Sequence, residues 1–217
     1  VADEYIGALR AARIDLLQQL GDPLFSDTFG SDHTVCFILA GDVEGELNVT
    51  TLEDVEAVHI GPCVVIMDRD DVLAGRSFAG KKVEATQQTE LIRQTVAVFW
   101  HDFGHLTKAL ARNQLGWAAG QLAVLRQICV SLARLRSNPL DLDAVSDPYF
   151  KVDQVVAPGL LDRLDVPVTQ RDRAGLIAGA RHLVAFYREQ ASALTAAAGL
   201  PYPHELGRLL TDRLSRL

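Results

Sequence analysis

Four residues whose side chains can do chemistry fall in register on one stretch of the chain: His101, His105, Lys108 and Arg112, at offsets of 4, 7 and 11. On a helix such spacing lines them up along a single face. Two histidines one turn apart can grip a metal ion, but a third ligand at helical spacing is missing and no carboxylate-rich motif presents itself as a partner. The row can line a cleft, and the competing reading is a solvated polar face. Cys36, Cys63 and Cys129 sit inside apolar segments, are odd in number and lack CxxC spacing. They read as buried free thiols, not as a disulfide framework, a zinc site or a nucleophile. Tyr202, between Pro201 and Pro203, reads as a packing residue.

The chain that must position these groups has 217 residues, 48% hydrophobic and 23% charged, a globular composition long enough for one large domain or two small ones. Its uninterrupted apolar runs, such as 35–40 and 122–125, fall far short of the roughly 20 residues of a membrane helix. No basic segment precedes an apolar one as in a secretory signal. The expectation is a cytoplasmic protein that engages no membrane. A formal charge of −7, from 21 Lys and Arg against 28 Asp and Glu, argues against a general nucleic-acid binder, whose footprint is basic.

Hydrophobic periodicity orders the elements. Residues 2–20 read as one amphipathic helix stopped by Gly21. Residues 34–40 form a nearly continuous β-branched and apolar run, which suits a strand covered on both faces. A turn over 41–45 leads to an alternating strand over 46–50, giving a hairpin. Thr51, with Asp54 three residues on, caps a short helix to Val58, and after Gly61-Pro62 the run 63–67 predicts another strand ended by an acidic turn over 68–71. From about Thr86 the pattern is helical: 90–112 and 115–135 pair as an antiparallel hairpin through Asn113. A Pro- and Asp-rich connection over 137–172, with a short helix near 159–164, precedes helices over 173–198 and 204–217. Strands succeeded by helices predict an α+β fold, with a sheet domain over 1–82 and a helical domain over 83–217.

Fragments in this order resemble bacterial nucleotidyltransferases of the aminoglycoside adenylyltransferase kind. They are Gly21-Asp22-Pro23-Leu24-Phe25, the runs 35–39 and 41–49, His59-Ile60-Gly61-Pro62 with 64–70, Phe99-Trp100, 108–114, Ala118-Ala119 and Gly199-Leu200-Pro201-Tyr202-Pro203. The resemblance implies a small partial nucleotidyltransferase-type sheet followed by an all-helical bundle. It also implies transfer of a nucleotide, AMP from ATP, out of a magnesium-nucleoside triphosphate complex to a hydroxyl of a small acceptor such as an aminoglycoside. Paired carboxylates serve such chemistry because Mg2+ must neutralise the triphosphate and the attacking oxygen.

In that family two carboxylates come from an Asp-x-Asp strand after a Gly-Ser turn, a stretch with no clear counterpart here, and a third comes from a later strand. Glu46 matches this third position as catalytic residue and Mg2+ ligand, although the family usually has Asp there. The competing reading of Glu46 is an exposed strand residue. Lys108 and Arg112 match basic positions on the helix that faces the nucleotide, where cations stabilise triphosphate charge. A literal Gly30-Ser31 with Asp42-Val43-Glu44 downstream also invites comparison. The run after Ser31, however, reads as a strand where the family opens a helix, and the competing reading is a hairpin turn.

Three readings are open: a transferring enzyme, a degenerate module that keeps the fold and binds without transfer, and a helical bundle that partners a separate minimal nucleotidyltransferase. The strands before Gly80 count against the third. An incomplete sheet would leave an open edge, which predicts pairing with another element or another copy of the chain as a homo-oligomer.

Overall fold

In the computed structural model the described residues are 3–58, 64–76, 78, 85–139, 141, 143–164 and 172–217. They form an α+β chain in two units, Val1–Lys81 and Lys82–Leu217.

The first unit opens with two helices where periodicity predicts one, α1 (Asp3–Ala11) and α2 (Arg13–Leu20). The break has a local cause. The Arg13 guanidinium donates to the Arg10 carbonyl, an acceptor the helical ladder would otherwise use, and to Ser31 O at 2.8 Å. Arg10 in turn donates to Val49 O at 3.1 Å, so both arginines tie the helix pair to the loops flanking the sheet.

That sheet has three antiparallel strands in the order β1 (Pro23–Asp27), β2 (Thr34–Leu39) and β3 (Val43–Asn48). The hairpin between β2 and β3 is tighter than expected. Gly41 and Asp42 take positive φ of 93° and 64°, so the chain reverses by Asp42 and Val43–Gly45 join the strand. Gly45 lies opposite Phe37, where a Cβ would come within 3.1 Å of the Phe37 ring. β2 is covered on one face, not two. Val35 and Leu39 are buried with Leu17 of α2, while Ile38 on the other face is 40% exposed. This core is small, and the continuous apolar pattern of β2 outruns what this unit by itself covers.

Thr51 behaves as expected: its hydroxyl accepts from Asp54 N at 3.1 Å and precedes the single-turn helix α3 (Val55–Val58). The predicted strand over 63–67 does not form across its described part. Residues 64–67 are irregular, with Val64, Ile66 and Met67 more than four-fifths exposed. Apolar and β-branched side chains favour a strand only where a neighbour supplies backbone partners, and none of β1, β2 and β3 pairs with this segment. Residues 59–63, including Cys63 and the His59-Ile60-Gly61-Pro62 segment of the resemblance, lie outside the described residues. In the acidic turn, the Asp68 carboxylate accepts from Val72 N and Leu73 N at 3.1 and 2.9 Å, so it is spent on local backbone.

The second unit is helical. α4 (Ala85–Ala111) and α5 (Leu115–Ser137) form the expected hairpin, and α8 (Arg173–Ala197) and α9 (His204–Ser215) pack against it. Among its described residues the connection 137–172 contains two single turns, α6 (Asp143–Ser146) and α7 (Val152–Val155), and a 3-10 turn at Asp162–Leu164. Phe99 and Trp100 of α4 meet Tyr187 of α8, with Phe99 stacked on Tyr187 at 3.7 Å between ring centres, and Phe103 packs on Phe99 and Trp100. Each such fully buried side chain contributes about 1.5–3 kcal/mol. The Tyr187 hydroxyl donates to Val96 O at 2.8 Å, which lets the phenol be buried.

Gly207 brings α9 onto Trp100 closely enough that a Cβ would sit 2.7 Å from the indole. The connection is fastened by a buried ion pair, Arg134 Nε to Asp141 Oδ2 at 2.7 Å, while Arg134 Nη1 also donates to Pro148 O and Phe150 O. By length and composition α5 could cross a membrane. Its Leu122, Leu125, Leu132 and Leu135 are instead core residues of this unit.

Candidate functional site

The two cations predicted to meet phosphate stand where α4 turns into α5. Asn113 takes a left-handed φ of 56°, with Asn113 N bonded to Leu110 O at 3.0 Å and Gln114 N to Ala109 O at 2.9 Å. This double closure is a Schellman motif, and it sets Arg112 at the helix cap with Lys108 one turn before it. Both side chains are exposed, and among the described residues no carboxylate pairs with either.

Two features act on a ligand here in opposite senses. The carbonyl end of α4 carries partial negative charge, which stabilises Lys108 and Arg112 but disfavours a phosphate beside it. α5, however, begins at once, with no side-chain cap at Gln114 and no acidic residue in its first turn. Its free amides therefore add to the positive charge of the turn.

His101 and His105 continue this face. His101 is exposed and His105 half-buried, their rings 4.7 Å apart, and His101 Nδ1 lies 2.8 Å from the Asp102 carboxylate. Trp117 of α5, 38% exposed, meets His105 edge to face at 5.8 Å. Sequence reasoning does not select Trp117, because only the helix hairpin brings it to His105. The histidine pair gains no third ligand: among the described residues no group of three His, Cys, Asp or Glu can hold a metal ion.

Glu46 lies in the first unit, on β3, an edge of the described sheet. It is exposed, as its competing reading requires, and points to the face opposite the Leu17 core. The strand register sets Asp27, Cys36 and Glu46 in one row across β1, β2 and β3. Cys36 Sγ is 3.9 Å from Glu46 Oε1. Burial first, then the negative charges of Glu46 and Asp27, push the Cys36 thiol above its usual range, so the neighbour of Glu46 is a neutral thiol. A neutral thiol is no ligand for Mg2+, which takes oxygen donors and commonly only one or two carboxylates together with substrate phosphates. Glu46 fits that limited role as a single carboxylate. Asp27 is not legible as part of this row in the sequence, since β1 carries no clear strand pattern.

The Gly30-Ser31 match to a phosphate-holding turn does not survive. Ser31 Oγ accepts from His33 N and Thr34 N at 3.3 and 3.0 Å and starts β2, while Asp42 occupies the hairpin turn.

Within the helical unit α4 and α5 line a cleft of about 370 Å3, with Val145 of α6 also in its wall. Its walls are Leu91, Val98, Val124 and Ile128, and its polar groups are Gln94, Thr95, Asp102, Gln127 and Ser131. The Thr95 and Ser131 hydroxyls donate to carbonyls of their own helices, Gln94 donates to Glu90 at 2.7 Å and one Asp102 oxygen meets His101, which leaves the Gln127 amide and the second Asp102 oxygen to face a ligand. A carboxylate and an amide among apolar walls suit an amine or a hydroxylated molecule. The chain matches no known protein-family model, and no curated protein matches it.

Proposed function

We propose that this chain is a nucleotidyltransferase-like protein, acting in the cytoplasm, that moves a nucleotide, AMP from ATP, to a hydroxyl of a small amine-bearing acceptor such as an aminoglycoside. In that reaction the acceptor oxygen bonds to the α-phosphorus, the bond to pyrophosphate breaks, and the hydroxyl proton leaves to a base. The observation that carries the reading is the pair Lys108 and Arg112, which no carboxylate neutralises among the described residues, beside the uncapped start of α5 in a chain of net charge −7. Cations kept free of carboxylates in an acidic protein are suited to hold triphosphate oxygens. The cleft with Asp102 and Gln127 supplies an acceptor pocket of matching chemistry. Glu46 is assigned as a single carboxylate toward Mg2+ arriving with the triphosphate, as the resemblance implies.

A second reading, binding without transfer, is favoured by the lack of any three-ligand metal group among the described residues. One experiment separates them. Calorimetry with ATP, with and without Mg2+, is expected to give binding that weakens about tenfold or more in Lys108→Ala/Arg112→Ala, since each charge-assisted contact is worth roughly 1.5–3 kcal/mol. Loss of the Mg2+ dependence in Glu46→Ala supports transfer. Binding indifferent to Mg2+ supports the module, and no ATP binding by the wild-type chain sinks both readings.

A further inference from the structure

Trp117 stands outside the core that its neighbours join. On α5, Leu115 and Ala119 pack against the apolar core of the helical unit, whereas Trp117 belongs neither to that core nor to the partly buried residues packed on it. It stays 38% exposed, and among the described residues its ring contact is the edge-to-face one with His105, at 5.8 Å and 70° between planes. Such a neighbour covers at most one face of an indole. The indole is thus steadied by a second ring and presents apolar surface to solvent, which stacking by a planar guest would withdraw from water.

Two cations extend from this platform. Lys108 lies three residues beyond His105 and Arg112 seven, so both share the side of α4 that carries the ring meeting Trp117. The rise along the helix from His105 to Arg112 is about 10 Å. No carboxylate among the described residues pairs with either cation. A ring platform followed by two spaced cations matches a guest with a flat aromatic end and an extended run of negative charge. A nucleoside triphosphate has that order of parts. A single small anion would use one cation and leave the indole idle, and a long nucleic acid would meet the repulsion of a chain of net charge −7.

We infer that Trp117 seats the base of the nucleotide, with the triphosphate running along α4 from His105 past Lys108 to Arg112, and that the stack favours a purine over a pyrimidine. The inference rests on the nucleotide reading above and adds to it the residue that holds the base. Two fused rings cover more of an indole than one ring does, whereas stacking is indifferent to the hydrogen-bonding edge that separates adenine from guanine. ATP and GTP should therefore bind alike and UTP more weakly.

Fluorescence isolates the stack, because the chain has two tryptophans and Trp100, 1% exposed, is shut away among Phe99, Phe103 and Tyr187. The full chain is titrated with ATP, UTP and inorganic tripolyphosphate, each with Mg2+, with calorimetry alongside. ATP is expected to quench the Trp117 emission saturably, and tripolyphosphate to bind without quenching. Trp117→Ala should weaken ATP about tenfold or more and leave the affinity for tripolyphosphate unchanged, the difference one stacked base makes. Trp117→Phe, which keeps a ring, should recover part of the loss. ATP binding that is unaltered in Trp117→Ala, an equal loss for ATP and tripolyphosphate, or UTP binding as tightly as ATP overturns the inference and leaves the nucleotide reading standing. If neither ATP nor tripolyphosphate binds the wild-type chain, the nucleotide reading itself fails and the seat for its base goes with it.

Discussion

Replacing Arg134 tests how the connection 137–172 is held, and with it part of the wall of the α4/α5 cleft. Arg134 and Asp141 are only 2% and 8% exposed and meet through two contacts, Nε to Oδ2 at 2.7 Å and Nη2 to Oδ1 at 3.1 Å. Arg134→Leu removes the counter-charge of the buried Asp141 carboxylate and takes a donor from the carbonyls of Pro148 and Phe150. Breaking a buried pair from one side costs about 3–5 kcal/mol. At about 3 °C per kcal/mol for a chain of this size, the midpoint should fall by about 9–15 °C.

Asp141→Leu should cost less, about 2 kcal/mol, because the guanidinium keeps its carbonyl acceptors. The double variant should be more stable than the sum of the single losses, with a coupling of at least about 1 kcal/mol. Urea and thermal unfolding monitored by far-ultraviolet circular dichroism reads the helical unit. The half-exposed pair Arg163–Glu189 serves as a control, whose removal should leave the midpoint close to wild type. If Arg134→Leu costs under about 1 kcal/mol, or the two losses simply add, the ion pair does not fasten the connection and the reasoning fails. The cleft should report the same event, since Val145 lies within the segment that Arg134 holds.

Gly207→Ala forces a Cβ to within 2.7 Å of the Trp100 ring and should destabilise the helical unit by about 1–3 kcal/mol in the same assay, the usual cost of overpacking. Glu46→Gln removes a negative charge beside Cys36, so the raised thiol pKa should fall and alkylation by iodoacetamide near pH 8, read peptide by peptide, should speed up. Cys129, whose thiol burial pushes far upward, should stay unreacted in both proteins until the helical unit unfolds. An unchanged Cys36 rate in Glu46→Gln would mean that the two side chains do not share the β2/β3 face.

The sequence by itself determined the helical half. Apolar residues repeating at helical spacing over α4, α5 and α8 bury one stripe whatever their partners are, and Asn113, Gly199 and the Pro201-Tyr202-Pro203 turn mark where the chain must break. It also placed Lys108 and Arg112 on one side of α4, because that placement comes from period alone. The sheet was less legible. Strand pairing depends on backbone partners far along the chain, so β1 leaves no clear local signal, and the apolar run around residues 64–67 reads as a strand although β1, β2 and β3 leave it unpaired. Only tertiary structure could bring Trp117 to His105, set Asp27 and Glu46 on either side of Cys36, and fold the Gly30-Ser31 segment into a turn. Whether a donor is satisfied is likewise decided by residues distant in sequence.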